Sequence, residues 1–201
     1  MRVWNLAALG CAALVLAATT AGCGSSSSST TAATKAKSAA TTPTTTNPNQ
    51  FGESSLTSSA FKNGQPLPAA YTCAGANISP PLAWSKIPAA AKELFIVALD
   101  IGKSGHNKVV WAVGGISPTA AQVAAGTLPP GAVLGENQAG PSKWGGVCDK
   151  TKGERHRIAF LMYVLGRKLQ LKPNFNPIAI RPQLKAATIS TGLTIASYTP
   201  S

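Results

Sequence analysis

Apolar residues in this chain come in short, nearly continuous runs cut apart by Gly and Pro. The clearest is Leu94-Phe95-Ile96-Val97-Ala98-Leu99-Asp100-Ile101, apolar throughout except for one carboxylate near its end. Runs this short, without helical spacing, predict strands buried on both faces. The same reading predicts strands over Leu56–Phe61, Val109–Val113, Arg157–Leu165 and Leu193–Tyr198. Helical signals are few. Ser117-Pro118-Thr119 ahead of Ala120–Ala125, with Gly126 behind, has a cap, an early proline and a glycine stop. A second short helix is predicted around Pro182–Ile189. The fold class is therefore mainly β, with a few short peripheral helices. Long Gly/Pro-rich connections over 63–79, 126–146 and 147–154 have the length of loops that form pockets. Ser79-Pro80-Pro81-Leu82-Ala83-Trp84 reads as a stiff turn that presents Trp84 as a pocket wall.

The N-terminal part follows different rules. Arg2 supplies one positive charge, Leu6–Ala18 is apolar, and Thr20-Ala21-Gly22-Cys23 follows. Residues 1–22 thus read as an export signal, too short for a stable membrane span. The small residues ahead of Cys23 resemble a bacterial lipobox, with Thr20 where leucine is usual. That resemblance implies that Cys23 becomes the lipid-modified N-terminus of an exported protein anchored to the cell membrane. Residues 23–50 read as a tether. Five serines open it, Thr, Ala, Pro and Asn fill it, and Lys35 and Lys37 are its charges. Such a segment buries too little apolar surface to offset its ordering entropy. Residues 51–201 then form one domain with enough chain for a core.

Export changes how the cysteines and the charge are read. Cys11 falls in the signal and Cys23 at the anchor, leaving Cys73 and Cys148. Two cysteines in an exported domain point to a disulfide, with two buried thiols as the alternative. Eighteen Lys and Arg against six Asp and Glu give a net charge of +12. Outside the cytoplasm nucleic acid is not an expected partner. Anionic headgroups, phosphate and cell-wall polyanions are. A basic cluster of Lys143, Lys150, Lys152, Arg155 and Arg157 is diluted by Asp149 and Glu154.

Enzymatic signatures are missing from the sequence. There is no Gly-x-Ser-x-Gly elbow, no His-Glu-x-x-His pair and no Cys-x-x-Cys. With two histidines, His106 and His156, neither a metal nor another cofactor is expected. His106 lies in a polar turn and reads as solvent-exposed. The expectation is a protein without enzymatic activity.

Several segments, in collinear order, resemble the phosphatidylethanolamine-binding protein family, in its bacterial Raf-kinase-inhibitor-like branch. They are Leu56–Phe61, Asn63-Gly64, Leu67-Pro68, Tyr71–Leu82 with Trp84, Leu99-Asp100, Val110–Val113, Gly135-Glu136-Asn137, Trp144–Cys148 and His156-Arg157. The resemblance implies a β-sandwich-like core with a small anion pocket at one end, which takes phosphate or phosphoethanolamine-like headgroups. Carried over, it makes Asp100 the pocket aspartate, Gly146 the turn glycine with its amide toward the anion, and His156 the pocket histidine. Several positions depart from the pattern, with the family's Asp-Pro-Asp-Ala-Pro reading Asp100-Ile101-Gly102-Lys103-Ser104 and its Gly-Gly-Pro-Cys-Pro-Pro reading Gly145-Gly146-Val147-Cys148-Asp149-Lys150. Val110 stands for a histidine, Ile158 for a tyrosine, Gly102 for a second aspartate and Val147 for a proline. Two functional readings follow. One is a membrane-tethered module that binds a small anion or phospholipid headgroup through a degenerate pocket. The other is an interaction or inhibitor protein, with an envelope protein as partner, that keeps the fold without the pocket chemistry.

Overall fold

The computed structural model describes residues 52–102, 107–137, 143–148 and 153–200. The predicted signal, Cys23, the tether, Lys103, His106, Asp149, Lys150 and Lys152 lie outside the described residues. Nine strands, one α-helix and one 3-10 turn make up the described part. The strands are β1 Gly52–Glu53, β2 Ser55–Thr57, β3 Leu82–Ser85, β4 Glu93–Ile101, β5 Asn107–Ile116, β6 Gln122–Val123, β7 Val133–Leu134, β8 His156–Leu165 and β9 Thr188–Tyr198. The helix α1 spans Arg181–Ala187, and the 3-10 turn spans Ala69–Tyr71.

The large sheet runs β1-β9-β8-β4-β5-β7, and the small one β2-β3-β6. All pairings are antiparallel except β1 with β9. The small sheet packs on the front face of the large one. Leu56, Leu82, Trp84 and Val123 meet Leu94, Ile96, Trp111, Phe160 and Met162 there in one buried core. The rear face is covered by α1 and the 169–175 segment, through Leu169, Phe175, Leu184 and Ala187. Strand β4 is buried on both faces because side chains alternate along it. Leu94, Ile96 and Ala98 enter the front core, and Phe95 and Val97 the rear one. The mainly β sandwich with short peripheral helices is what the apolar runs predict.

Three segments differ from expectation. Residues 120–125 are not helical. Ser117 does form the capping turn, accepting the Thr119 N–H at 3.3 Å and, through its carbonyl, the Ala120 N–H at 3.1 Å. The chain then extends as β6, because so short a helix gains little on its own. The extended form pairs with Leu82 and Ala83, accepts the Trp84 N–H on Ala121 at 2.9 Å, and buries Val123. The predicted strand over Leu56–Phe61 stops at Thr57, where Ser58 turns the chain by donating to the Pro81 carbonyl at 2.6 Å. Trp84 is a buried core residue. It sits on β3, an element the double proline concealed, and its indole is buried in the inter-sheet core.

Glu93 is a buried carboxylate at the start of β4. It accepts the Gly115 N–H at 3.1 Å and the Leu169 N–H at 3.0 Å, tying β5 and the rear segment to the central strand. Glu93→Gln replaces an acceptor oxygen with an NH2 facing a donor. An expected loss of about 2 kcal/mol should show as a lower urea midpoint with an unchanged slope.

Candidate functional site

Strands β4 and β8 pair with Asp100 opposite Ile158 and Ile101 opposite Arg157. Their alternation brings two polar side chains onto the front face at one end of the sheet. Asp100 Oδ1 lies 2.8 Å from His156 Nδ1, with the residues 5% and 3% exposed. Burial of a polar pair is tolerated only when its members are bonded, and these two are bonded to each other. The Tyr198 ring on β9 stands beside the imidazole, with centroids 6.3 Å apart. Ile158 and Val110, at the positions of the expected tyrosine and histidine, are both buried in the front core.

Gly102 lies against His156. A Cβ on Gly102 would stand 3.5 Å from Cε1 and Nδ1 of the imidazole and 3.8 Å from Oε1 of Glu154. The Glu154 carboxylate therefore reaches the place where the resemblance implies a second aspartate. In the sequence Glu154 reads only as a diluent of the basic cluster. The one signal it carries is its position two residues before His156, which sets it at the same sheet end. Among the basic cluster, Lys143, Arg155 and Arg157 are exposed.

Gly146 has φ +64°, and a Cβ there would collide with the Asn77 carboxamide. That close approach requires glycine. Asn77 itself is left-handed, with φ +54°. The two loops they belong to are joined by the Cys73–Cys148 disulfide, with Cα atoms 5.1 Å apart. They are further held by Cys73 N–H on Val147 at 3.4 Å and Trp144 Nε1 on Tyr71 at 3.1 Å. Trp144 stacks on Phe160 at 6.0 Å and meets Trp111 edge-on at 6.0 Å. Against this aromatic wall lies a cavity of about 410 Å3, whose polar lining comes from Asn77, Ser79, Thr127 and Lys143. Of the loops read as pocket-forming, those over 63–79 and 126–146 line this cavity, and the described residues of 147–154 do not. The sequence alone does not single out Asn77, Ser79 and Thr127, since turn residues reveal no direction.

Among the described residues no group of three or more His, Cys, Asp or Glu could hold a metal ion. The site's polar side chains are suited to hydrogen bonding and charge complementarity.

The sequence model of the family described as "Phosphatidylethanolamine-binding protein" matches residues 57–199. The chain belongs to this family. A relative from Mycobacterium tuberculosis, "Putative lipoprotein LppC", is 34% identical over 166 residues, covering 82% of this chain and 82% of that protein. A UPF0098 protein from Methanothermobacter thermautotrophicus is 34% identical over 124 residues, 59% of this chain and 81% of that protein. Two crystal structures share the fold. The phosphatidylethanolamine-binding protein homolog CT736 of Chlamydia trachomatis has a TM-score of 0.69 at 28% identity, covering 75% of this chain and 99% of that one. Escherichia coli YbcL, described as a member of the mammalian PEBP family, has a TM-score of 0.69 at 26% identity, covering 75% and 100%. The phosphatidylethanolamine-binding fold thus carries Asp100 and His156 at a sheet end, with Val110 and Ile158 as apolar neighbours.

Proposed function

We propose that this protein is an exported lipoprotein whose phosphatidylethanolamine-binding domain captures a phospholipid headgroup or a related small phosphate ester, without catalysis. The observation that carries the reading is the buried Asp100–His156 bond at 2.8 Å, with Gly102 against the imidazole and the Glu154 carboxylate beside it. For stability alone an apolar pair of similar volume serves as well or better. A carboxylate–imidazole pair with a second carboxylate beside it complements a ligand that carries an amine next to a phosphate. The amine would face Asp100 and Glu154, and the phosphate would face the imidazole edge and backbone amides. Val110 and Ile158 remove two donors, so binding should be weaker than in relatives that keep a histidine and a tyrosine there. Calorimetry with phosphoethanolamine tests the reading. Saturable heat is expected, with His156→Gln weakening affinity about 10-fold or more. No heat at millimolar ligand contradicts it.

The alternative, an interaction or inhibitor protein that keeps the fold alone, is favoured by one feature. Asp100 and His156 occupy each other while Ile158 fills the space beside them. On that reading His156→Gln leaves every binding property unchanged. Capture of a saturable envelope partner would then depend on the exposed Lys143, Arg155 and Arg157. Simple attachment to cell-wall polyanions through the same charges would disappear in high salt.

Membrane attachment rests on Cys23 and on the lipoprotein name of the mycobacterial relative. Two or more acyl chains hold a protein firmly, whereas one is marginal. Cys23→Ser should therefore abolish incorporation of an alkyne fatty acid and move the protein out of the membrane fraction. Unchanged labelling in that variant contradicts the assignment.

A further inference from the structure

The strand that presents Asp100 to the front face presents Phe95, Val97 and Leu99 to the rear. There they join Val109, Tyr163 and Leu184 around a cleft of about 160 Å3 that Pro177 and Ile178 also line. An apolar cavity of about 150 Å3 accepts one benzene ring, so this cleft has the volume of a single ring or a short acyl chain. Its polar lining comes from three side chains: Asn107, Tyr163 and Arg181. Arg181 is exposed and has no carboxylate partner among the described residues. A guanidinium presents a planar fork of donors that fits a carboxylate with two parallel hydrogen bonds. Burial raises the pKa of the Tyr163 hydroxyl, with the Arg181 charge working the other way. The phenol is then a neutral donor at neutral pH, beside the guanidinium. Ile178, 63% exposed at the lip, is an apolar residue left uncovered where a ligand body would enter.

We propose that this rear cleft binds a small organic monoanion, with a ring-sized or short-chain apolar body between Val97, Leu99, Val109 and Leu184 and a single carboxylate on Arg181. The site is separate from the Asp100–His156 end, because residues of opposite parity on β4 face opposite sides of the sheet.

Benzoate is the probe, titrated into the 15N-labelled full chain. The expected result is saturable shifts of the Phe95–Leu99 and Ile178–Leu184 amides. The neutral isostere benzamide should bind about 10- to 100-fold more weakly, and Arg181→Gln should weaken benzoate by a similar factor. Arg181 is exposed, so the variant should keep its fold, and its unchanged melting temperature checks this. Val109→Phe, which fills the cleft, should remove the shifts. Excess phosphoethanolamine should leave them in place, whether or not it binds the front face. Equal affinity for benzamide, unchanged binding in Arg181→Gln, displacement by phosphoethanolamine, or no saturable shift in these segments overturns the proposal.

Discussion

Cys73→Ser is expected to lower the stability of the folded region by about 4 kcal/mol. The bridge spans 75 residues of sequence, so its loss releases a long loop in the unfolded chain. In the folded state the bridge joins the loop carrying Asn77 to the loop carrying Gly146, and so ties together the segments that place Asn77 and Trp144 in the lining of the 410 Å3 cavity. The Trp144–Tyr71 and Cys73–Val147 hydrogen bonds should keep the loops together at low denaturant. The native spectrum is then retained while the midpoint falls. Cys148→Ser and the double variant should lose the same amount as Cys73→Ser, because all three remove one bridge. Urea unfolding measures it. A loss under about 1 kcal/mol would mean that the backbone contacts, rather than the bridge, hold the wall.

Asp100→Ala should destabilise the domain by about 3 kcal/mol and abolish headgroup binding together. The substitution strips His156 Nδ1 of its acceptor inside a region where the imidazole is 3% exposed. Water cannot readily replace that acceptor, so the desolvation cost of the ring is left uncompensated. Asp100→Asn separates the two effects. Its side-chain oxygen can still accept the Nδ1–H, so stability should fall by about 1 kcal/mol. The charge facing a ligand amine is nevertheless gone, and affinity should fall about 10-fold. Equal losses of stability in the two variants would make the negative charge, rather than the acceptor, the important property.

How much of the molecule is legible in its sequence varies by element. Strands β4 and β8 are legible because both faces are buried, and a continuous apolar run of eight or so residues is too short for a core helix with its own caps. Strand β6 is not. An alanine-rich segment with a capping serine satisfies local helix rules, and its strand form depends on β3 lying alongside. Strand β3 is hidden in turn by Pro80 and Pro81. Asp100 and His156 stand out through resemblance to the family, but their direct bond depends on the β4–β8 register across 56 residues of sequence. Glu154 escapes notice because a charged residue among lysines and arginines carries no direction. The rear cleft is invisible for the same reason. Nothing local to Arg181 shows that α1 lays it beside Tyr163.

The central claim is that the Asp100–His156 end of the sheet is a ligand site and not merely a satisfied buried pair. Imidazole NMR of His156 during a phosphoethanolamine titration tests it most directly. A saturable change in the His156 ring resonances, together with the Gly102 amide and moved to about 10-fold higher ligand in Asp100→Asn, is the predicted result. Ring resonances that stay fixed at millimolar ligand, with no change at Gly102, would contradict it.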